Sequence, residues 1–253
     1  MRGRRISLSR PRRFLVDMLH FAARIPTIPV QRRMALAEVA AARENALDRP
    51  CWPAVFLKAY SQVADDFPPL RRAYVGLPWP HLREYPTTVA SVAFEREYQG
   101  EPCVFFGRIG DPSKQSLREL HSRIRWFAET PIESVKSFKQ MLSFAALPRP
   151  IRRALLWTGL NLPRTRPGKF GTFGLSVYSS LGAESLHPLS PMTTTLTYGC
   201  IGDDGKVSVR LIYDHRVLDG ANVARALGKL DEKLNGPILA ELRGLGVKLR
   251  VVA

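Results

Sequence analysis

The chain has 253 residues, 45% of them apolar and 24% charged, a balance that supports a buried core and excludes a disordered chain. No apolar run reaches the roughly 18 residues of a membrane-spanning helix. Lys and Arg number 38 against 22 Asp and Glu, a net charge of +16, which favours anionic partners such as phosphate-bearing ligands, an anionic membrane surface or nucleic acid. The basic residues fall in patches such as "SRPRR", "LPRPIRR" and "PRTRPGK". No zinc-finger spacing or RNP-type aromatic signature accompanies them, which ranks nucleic acid behind the other anionic partners. Three cysteines, Cys51, Cys103 and Cys200, lie far apart without a CxxC. That pattern speaks against a metal site or a disulfide framework and fits a reducing cytoplasm.

In chain order, residues 1–25 form a basic N-terminal segment. Its apolar stretch is interrupted by Asp17, His20 and Arg24, so it does not read as a cleaved secretory signal. Phe14, Leu15, Met18, Leu19 and Ala22 stand at helical spacing, and the segment packs on the body or touches a membrane surface. "RIPTIPVQRRM" reads as an edge strand or an extended segment, since its prolines cannot feed a central ladder. "ALAEVAAARENAL" and residues 52–66 read as helices, the second accepting Pro53 near its start. Residues 68–86 are proline-rich and extended. "TTVASVAFERE" and "EPCVFFGRI" are strands joined by the hairpin signal "YQGEP". Residues 115–144 form one or two helices broken at "TPIES", with Thr130 as cap and Pro131 as the first residue of the second.

Residues 147–169 contain a short basic helix between proline-rich loops. Its Arg149, Arg152, Arg153, Leu155, Leu156 and Trp157 suit either an amphipathic helix covering the core or a surface for anionic lipid or an acyl acceptor. "FGTFGLSVYSSLG" is a strand leaving through a glycine turn, and "MTTTLTYGCI" and "KVSVRLIYDH" are strands paired around "GDDGK". Residues 219–235 make the last clear helix, and the remainder is a short tail. With no repeat or long linker, one α/β domain spanning 1–253 is expected.

The strand "VSVRLIY" delivers His215 to its end, where ligands meet loops in α/β folds. A neutral imidazole held in one tautomer takes a proton from a thiol or hydroxyl and returns it to a leaving group. Asp219 either caps the following helix or pairs with an arginine. Gly220 suggests a tight turn or a close backbone approach. Arg216 pairs with a carboxylate or faces solvent.

"YDHRVLDGANVARAL" resembles the DHRxxDG signature of the catalytic domain of 2-oxo acid dehydrogenase acyltransferases, which share a fold with chloramphenicol acetyltransferase. "GTFGLSVYSSLGAESLHPLSPMTTTLTYG", "RIPTIPVQRRMALAEVAAAR" and "WPAVFLKAYSQVADDFPPLRRAY" resemble further family segments in the same order. The resemblance implies a chloramphenicol acetyltransferase-like two-layer sandwich, a mixed β-sheet covered by helices. It implies His215 as general base, Ser176 as the hydroxyl that stabilises the oxyanion, and Asp219 as the organising carboxylate. Arg10, Arg12 and Arg13 are the candidates for the Asp219 partner. It also implies coenzyme A or acyl-CoA as co-substrate without a metal, and a homotrimer whose sites combine His215 of one subunit with Ser176 of the next.

The sequence departs from the family pattern in three places. No lipoyl domain, subunit-binding domain or linker is legible, so the acceptor is expected to be other than a lipoyl arm on this chain. Pro26-Thr27-Ile28 stands where the family has Pro-His-Phe, and residues 147–169 have no counterpart. The expectation is a cytoplasmic acyltransferase, peripheral to the membrane if the basic helix touches lipid. A non-catalytic scaffold of the same fold and an accessory subunit of a 2-oxo acid dehydrogenase complex are the alternatives.

Overall fold

In the computed structural model, which describes residues 3–246, the elements follow in the order α1 (Arg10–Ala22), β1 (Thr27–Ala35), α2 (Ala37–Asn45), α3 (Trp52–Asp66), β2 (Arg72–Val75), β3 (His81–Glu84), β4 (Val89–Tyr98), β5 (Glu101–Gly110), α4 (Leu117–Glu129), α5 (Lys136–Ala146), α6 (Arg149–Asn161), α7 (Arg166–Phe170), β6 (Phe173–Leu175), β7 (Thr194–Tyr198), β8 (Lys206–Asp214), α8 (Gly220–Lys233) and α9 (Leu239–Gly244). Six strands form one mixed sheet in the order β1-β8-β7-β6-β4-β5. The β4–β6 and β6–β7 pairs are parallel and the rest antiparallel. β1 lies at the edge, where the exposed Pro29 costs no interior ladder bond. The β4–β5 hairpin turns through Gln99 and Gly100, both at positive φ, the conformation that a tight two-residue hairpin turn demands.

The main core lies between one face of this sheet and the helices, with α3 at its centre. Ten of the fifteen α3 residues are buried, the mark of a helix enclosed on most sides. Phe56 stacks on Tyr198 with centroids 4.0 Å apart, and the Tyr60 hydroxyl bonds Thr194 Oγ1 at 2.6 Å. These contacts anchor β7, and through it β8, against the helix layer. A smaller apolar cluster of Met18, Leu156, Phe170 and Met192 occupies the opposite face, under α1, α6 and α7.

Several local expectations are corrected. Residues 68–86 are not simply extended: a 3-10 turn over Pro68–Arg71 leads into the β2–β3 pair. Thr130 ends α4 and does not cap a second helix, and Pro131 precedes a 3-10 turn, so α5 starts only at Lys136. The side-chain cap in this region is Ser116, which forms a capping box with Glu119; the "SLRE" spacing carries that signal. The expected tail is helical: after α8 the chain passes through a π turn into α9, burying Leu234, Ile238, Leu239 and Leu242. Residues 247–253 lie outside the described residues.

α6 and α1 are joined by a charge that periodicity hid. Asp17 is 1% exposed and accepts from Arg152 Nε at 2.6 Å and from Arg153 Nε at 3.2 Å. An Asp17→Ala variant leaves the buried Arg152 without its carboxylate, and it is expected to lose about 3 kcal/mol of unfolding free energy. Urea denaturation of both forms checks this, and an unchanged midpoint and slope would contradict it.

Candidate active site

β8 runs antiparallel to β1 with Asp214 opposite Thr27. One residue later, the His215 N–H donates to Pro26 O at 2.9 Å. The turn that follows is tight: Val217 and Leu218 N–H groups both donate to Asp214 O, at 3.0 and 3.1 Å. It folds the chain back so that His215 Nδ1 lies 3.0 Å from Leu218 O. A carbonyl only accepts, so Nδ1 carries the proton in the neutral ring, and Nε2 keeps its lone pair. The Tyr213 ring stands edge-on to the imidazole, centroids 5.6 Å apart.

Asp219 holds the N-cap position of α8, but its side chain makes no capping bond. Nor does an arginine reach it among the described residues: Arg12 pairs with Glu101, and Arg13 Nε donates to Leu8 O. The ionic neighbour of Asp219 among the described residues is His215 Nδ1, at 3.7 Å. Gly220 is not at positive φ, and a Cβ there would meet Tyr213 OH at an ordinary 3.6 Å. The expected tight approach at Gly220 is therefore not required within one chain.

The carboxylate that does order the turn is Asp214. It is 2% exposed and accepts from the Arg216 backbone N–H at 3.0 Å, from Nε at 2.9 Å and from Nη2 at 2.7 Å. Arg216 lies 4.3 Å over the Tyr74 ring, a favourable cation–π position. Arg166, buried beneath, donates to Tyr74 O at 2.8 Å and to Pro191 O at 2.9 Å. Sequence reasoning passed over Asp214; its signal was an acidic residue two places before an arginine in a tight turn. His187 was also missed. It bonds Thr27 Oγ1 at 2.8 Å, beside the backbone that holds His215.

Ser176 follows β6 directly, with its N–H donating to Leu196 O at 3.1 Å. It is half-buried in a groove of about 500 Å³ that Ala93, Glu95, Val104 and Tyr178 also line. The sheet does not bring Ser176 and His215 together. Leu175 is level with Leu196, and Leu196 with Leu211, so Ser176 lies level with Arg210, five residues before His215. Five antiparallel residues span about 17 Å and two strand spacings about 10 Å, which places the two residues about 20 Å apart.

The site groups are also open to solvent. The His215 side chain is 45% exposed and that of Asp219 80%. α6 buries Arg152 and Leu156 against the body and leaves Ile151, Leu155 and Trp157 about half exposed. Among the described residues, no cluster of three His, Cys, Asp or Glu side chains is placed to hold a metal, and no helix is long and apolar enough to cross a membrane.

No protein-family model matches the chain, and no curated protein sequence does. Solved structures do. A probable dihydrolipoamide acetyltransferase from Listeria monocytogenes 4b F2365 superposes with a TM-score of 0.68 at 16% identity, covering 92% of this chain and 94% of that one. The truncated catalytic core of the 2-oxoacid dehydrogenase multienzyme complex from Thermoplasma acidophilum gives 0.67 at 15%, covering 93% and 99%. Chloramphenicol acetyltransferase gives 0.53 at 14%, covering 90% and 96%. The chain therefore has the fold of these acyltransferase cores: a mixed six-stranded sheet flanked by helices, as the resemblance implied.

Proposed function

We propose that the chain is an acyltransferase that moves an acyl group from a coenzyme A thioester, or a related carrier thioester, to a hydroxyl, amine or thiol acceptor. The observation that carries this reading is the His215 ring, whose Nδ1 is tied to Leu218 O so that Nε2 is free to accept a proton. In the step, Nε2 takes the acceptor's proton as the acceptor heteroatom attacks the thioester carbonyl carbon. The carbonyl electron pair moves onto oxygen, and the Ser176 hydroxyl of a neighbouring copy donates to that oxyanion. Collapse breaks the C–S bond, and the imidazolium returns its proton to the departing sulfur, which releases coenzyme A as its thiol and restores the neutral His215 ring. Asp219 Oδ1 stands 3.7 Å from Nδ1, on the far side of the ring from the proton transfer. Asp214 and Arg216 hold the turn.

The 20 Å separation supports a site completed by a second copy, and a homotrimer is the assembly we propose. The +16 charge suits the phosphates of coenzyme A. On this reading the protein works in the reducing cytoplasm, where its free cysteines persist.

Thiol release from a panel of acyl-CoAs with short to long chains, each offered hydroxyl, amine and thiol acceptors, tests the proposal. The expected result is release above the protein-free rate for at least one donor, abolished by His215→Gln. Inertness with every donor and acceptor would contradict it and favour a scaffold of the same fold.

A further inference from the structure

A second chamber lies well away from His215. It sits on the sheet face opposite the main core, over β4 and β5, which in the strand order are three and four places from β8. Three strand spacings amount to about 14 Å. Its volume is about 450 Å³, within the range of small-molecule sites. Phe14 and Met18 of α1, Phe144 of α5, Leu156 of α6, Phe106 of β5 and Met192 before β7 line most of it. Two of these are methionines, which adapt their shape to a flexible apolar ligand. The α6–α7 segment supplies one wall.

The remaining wall is polar, and its groups converge. Ser91 and Arg108 face each other across the β4–β5 ladder. Arg108 Nη2 reaches Gln140 Oε1 at 3.4 Å, and Ser137 lies one turn before Gln140 on α5. Arg108 is half-buried and donates to Lys169 O at 3.1 Å. It has no carboxylate partner among the described residues, and burial pushes its guanidinium below its ordinary value. No acidic side chain lines the chamber. Ser91 is 4% exposed and makes no side-chain hydrogen bond among the described residues, and Ser137 Oγ is buried without a partner. Among the described residues, a half-buried cation without a carboxylate partner and two hydroxyls without hydrogen-bond partners converge at one end of an apolar chamber. A ligand with an anionic head and an apolar chain satisfies them all.

We propose that this chamber binds a single-chain fatty carboxylate, its head at Arg108, Ser91 and Ser137 and its chain among Phe14, Met18, Leu156 and Met192. Ser91 is level with Gly174 and Ala93 with Phe106, so the chamber adjoins the Ser176 groove of the proposed transfer site. Ligand binding is read without acyl transfer, so failure of this inference and failure of that reading are distinguishable.

The test is calorimetric titration of the full chain with decanoate and with decan-1-ol, a neutral molecule of the same chain length. Saturable binding of decanoate, one per chain, is expected. Arg108→Gln, which removes the charge and keeps an N–H donor on a shorter side chain, is expected to weaken decanoate at least tenfold and leave decanol unchanged. Leu155→Trp, at the half-exposed rim, narrows the mouth without disturbing the core and is expected to weaken both ligands at least tenfold. Absence of saturable decanoate binding, or equal decanoate affinity in the parent and both variants, would overturn the proposal.

Discussion

A His215→Gln variant is expected to lose acyl transfer by a factor of about 10² to 10⁴, the usual contribution of a positioned general base, while keeping its fold. Glutamine can still donate to Leu218 O through its amide nitrogen, so the hydrogen bond that shapes the turn has a substitute. What it lacks is a basic nitrogen. The stability of the variant should change little. The His215 side chain is 45% exposed, and the turn is clamped independently by Asp214 and Arg216. Steady-state kinetics beside thermal unfolding separate the two effects. Loss of transfer together with collapse of the fold would assign His215 a structural role, and retained transfer would remove it from the mechanism.

Ser176→Ala is expected to lower kcat by about 10² to 10³, the effect of removing one oxyanion donor, with a much smaller change in KM. A donor to the tetrahedral oxygen acts on the transition state and hardly on the ground state. Ser179, in the 3-10 turn three residues further on, offers a second hydroxyl on the same loop and serves as the comparison. If Ser179→Ala removes the rate and Ser176→Ala does not, the donor is misassigned. Because His215 and Ser176 stand about 20 Å apart along the sheet, the expected loss has a meaning only if a second copy brings its serine to the first copy's histidine.

What could be read from the sequence was local. The turn at Gln99 and Gly100, the buried helix α3 and the delivery of His215 to a strand end each follow from patterns within a few residues. Side-chain pairing was not local. Asp214 and Asp219 both flank the histidine, and only the turn geometry assigns Arg216 to the first and leaves the second without an arginine among the described residues. Asp17 looked like a polar interruption in an apolar stripe, and its partners Arg152 and Arg153 lie more than a hundred residues away. The same distance hid the role of α6: its sequence shows an amphipathic helix, but which sheet face it covers depends on where α1 and α5 already sit. The opposition of the His215 and Ser176 ends follows from β6 and β7 being parallel and β7 and β8 antiparallel. No spacing along the chain encodes that.

The most direct measurement of a shared site is the rate of acyl transfer by a co-assembled equal mixture of His215→Gln and Ser176→Ala chains. Each variant alone is expected to be nearly inactive. In a randomly mixed cyclic assembly, one junction in about four pairs an intact His215 with an intact Ser176 from its neighbour, so about a quarter of the parent rate should return. A mixture no faster than the average of its two components would contradict a site built between subunits.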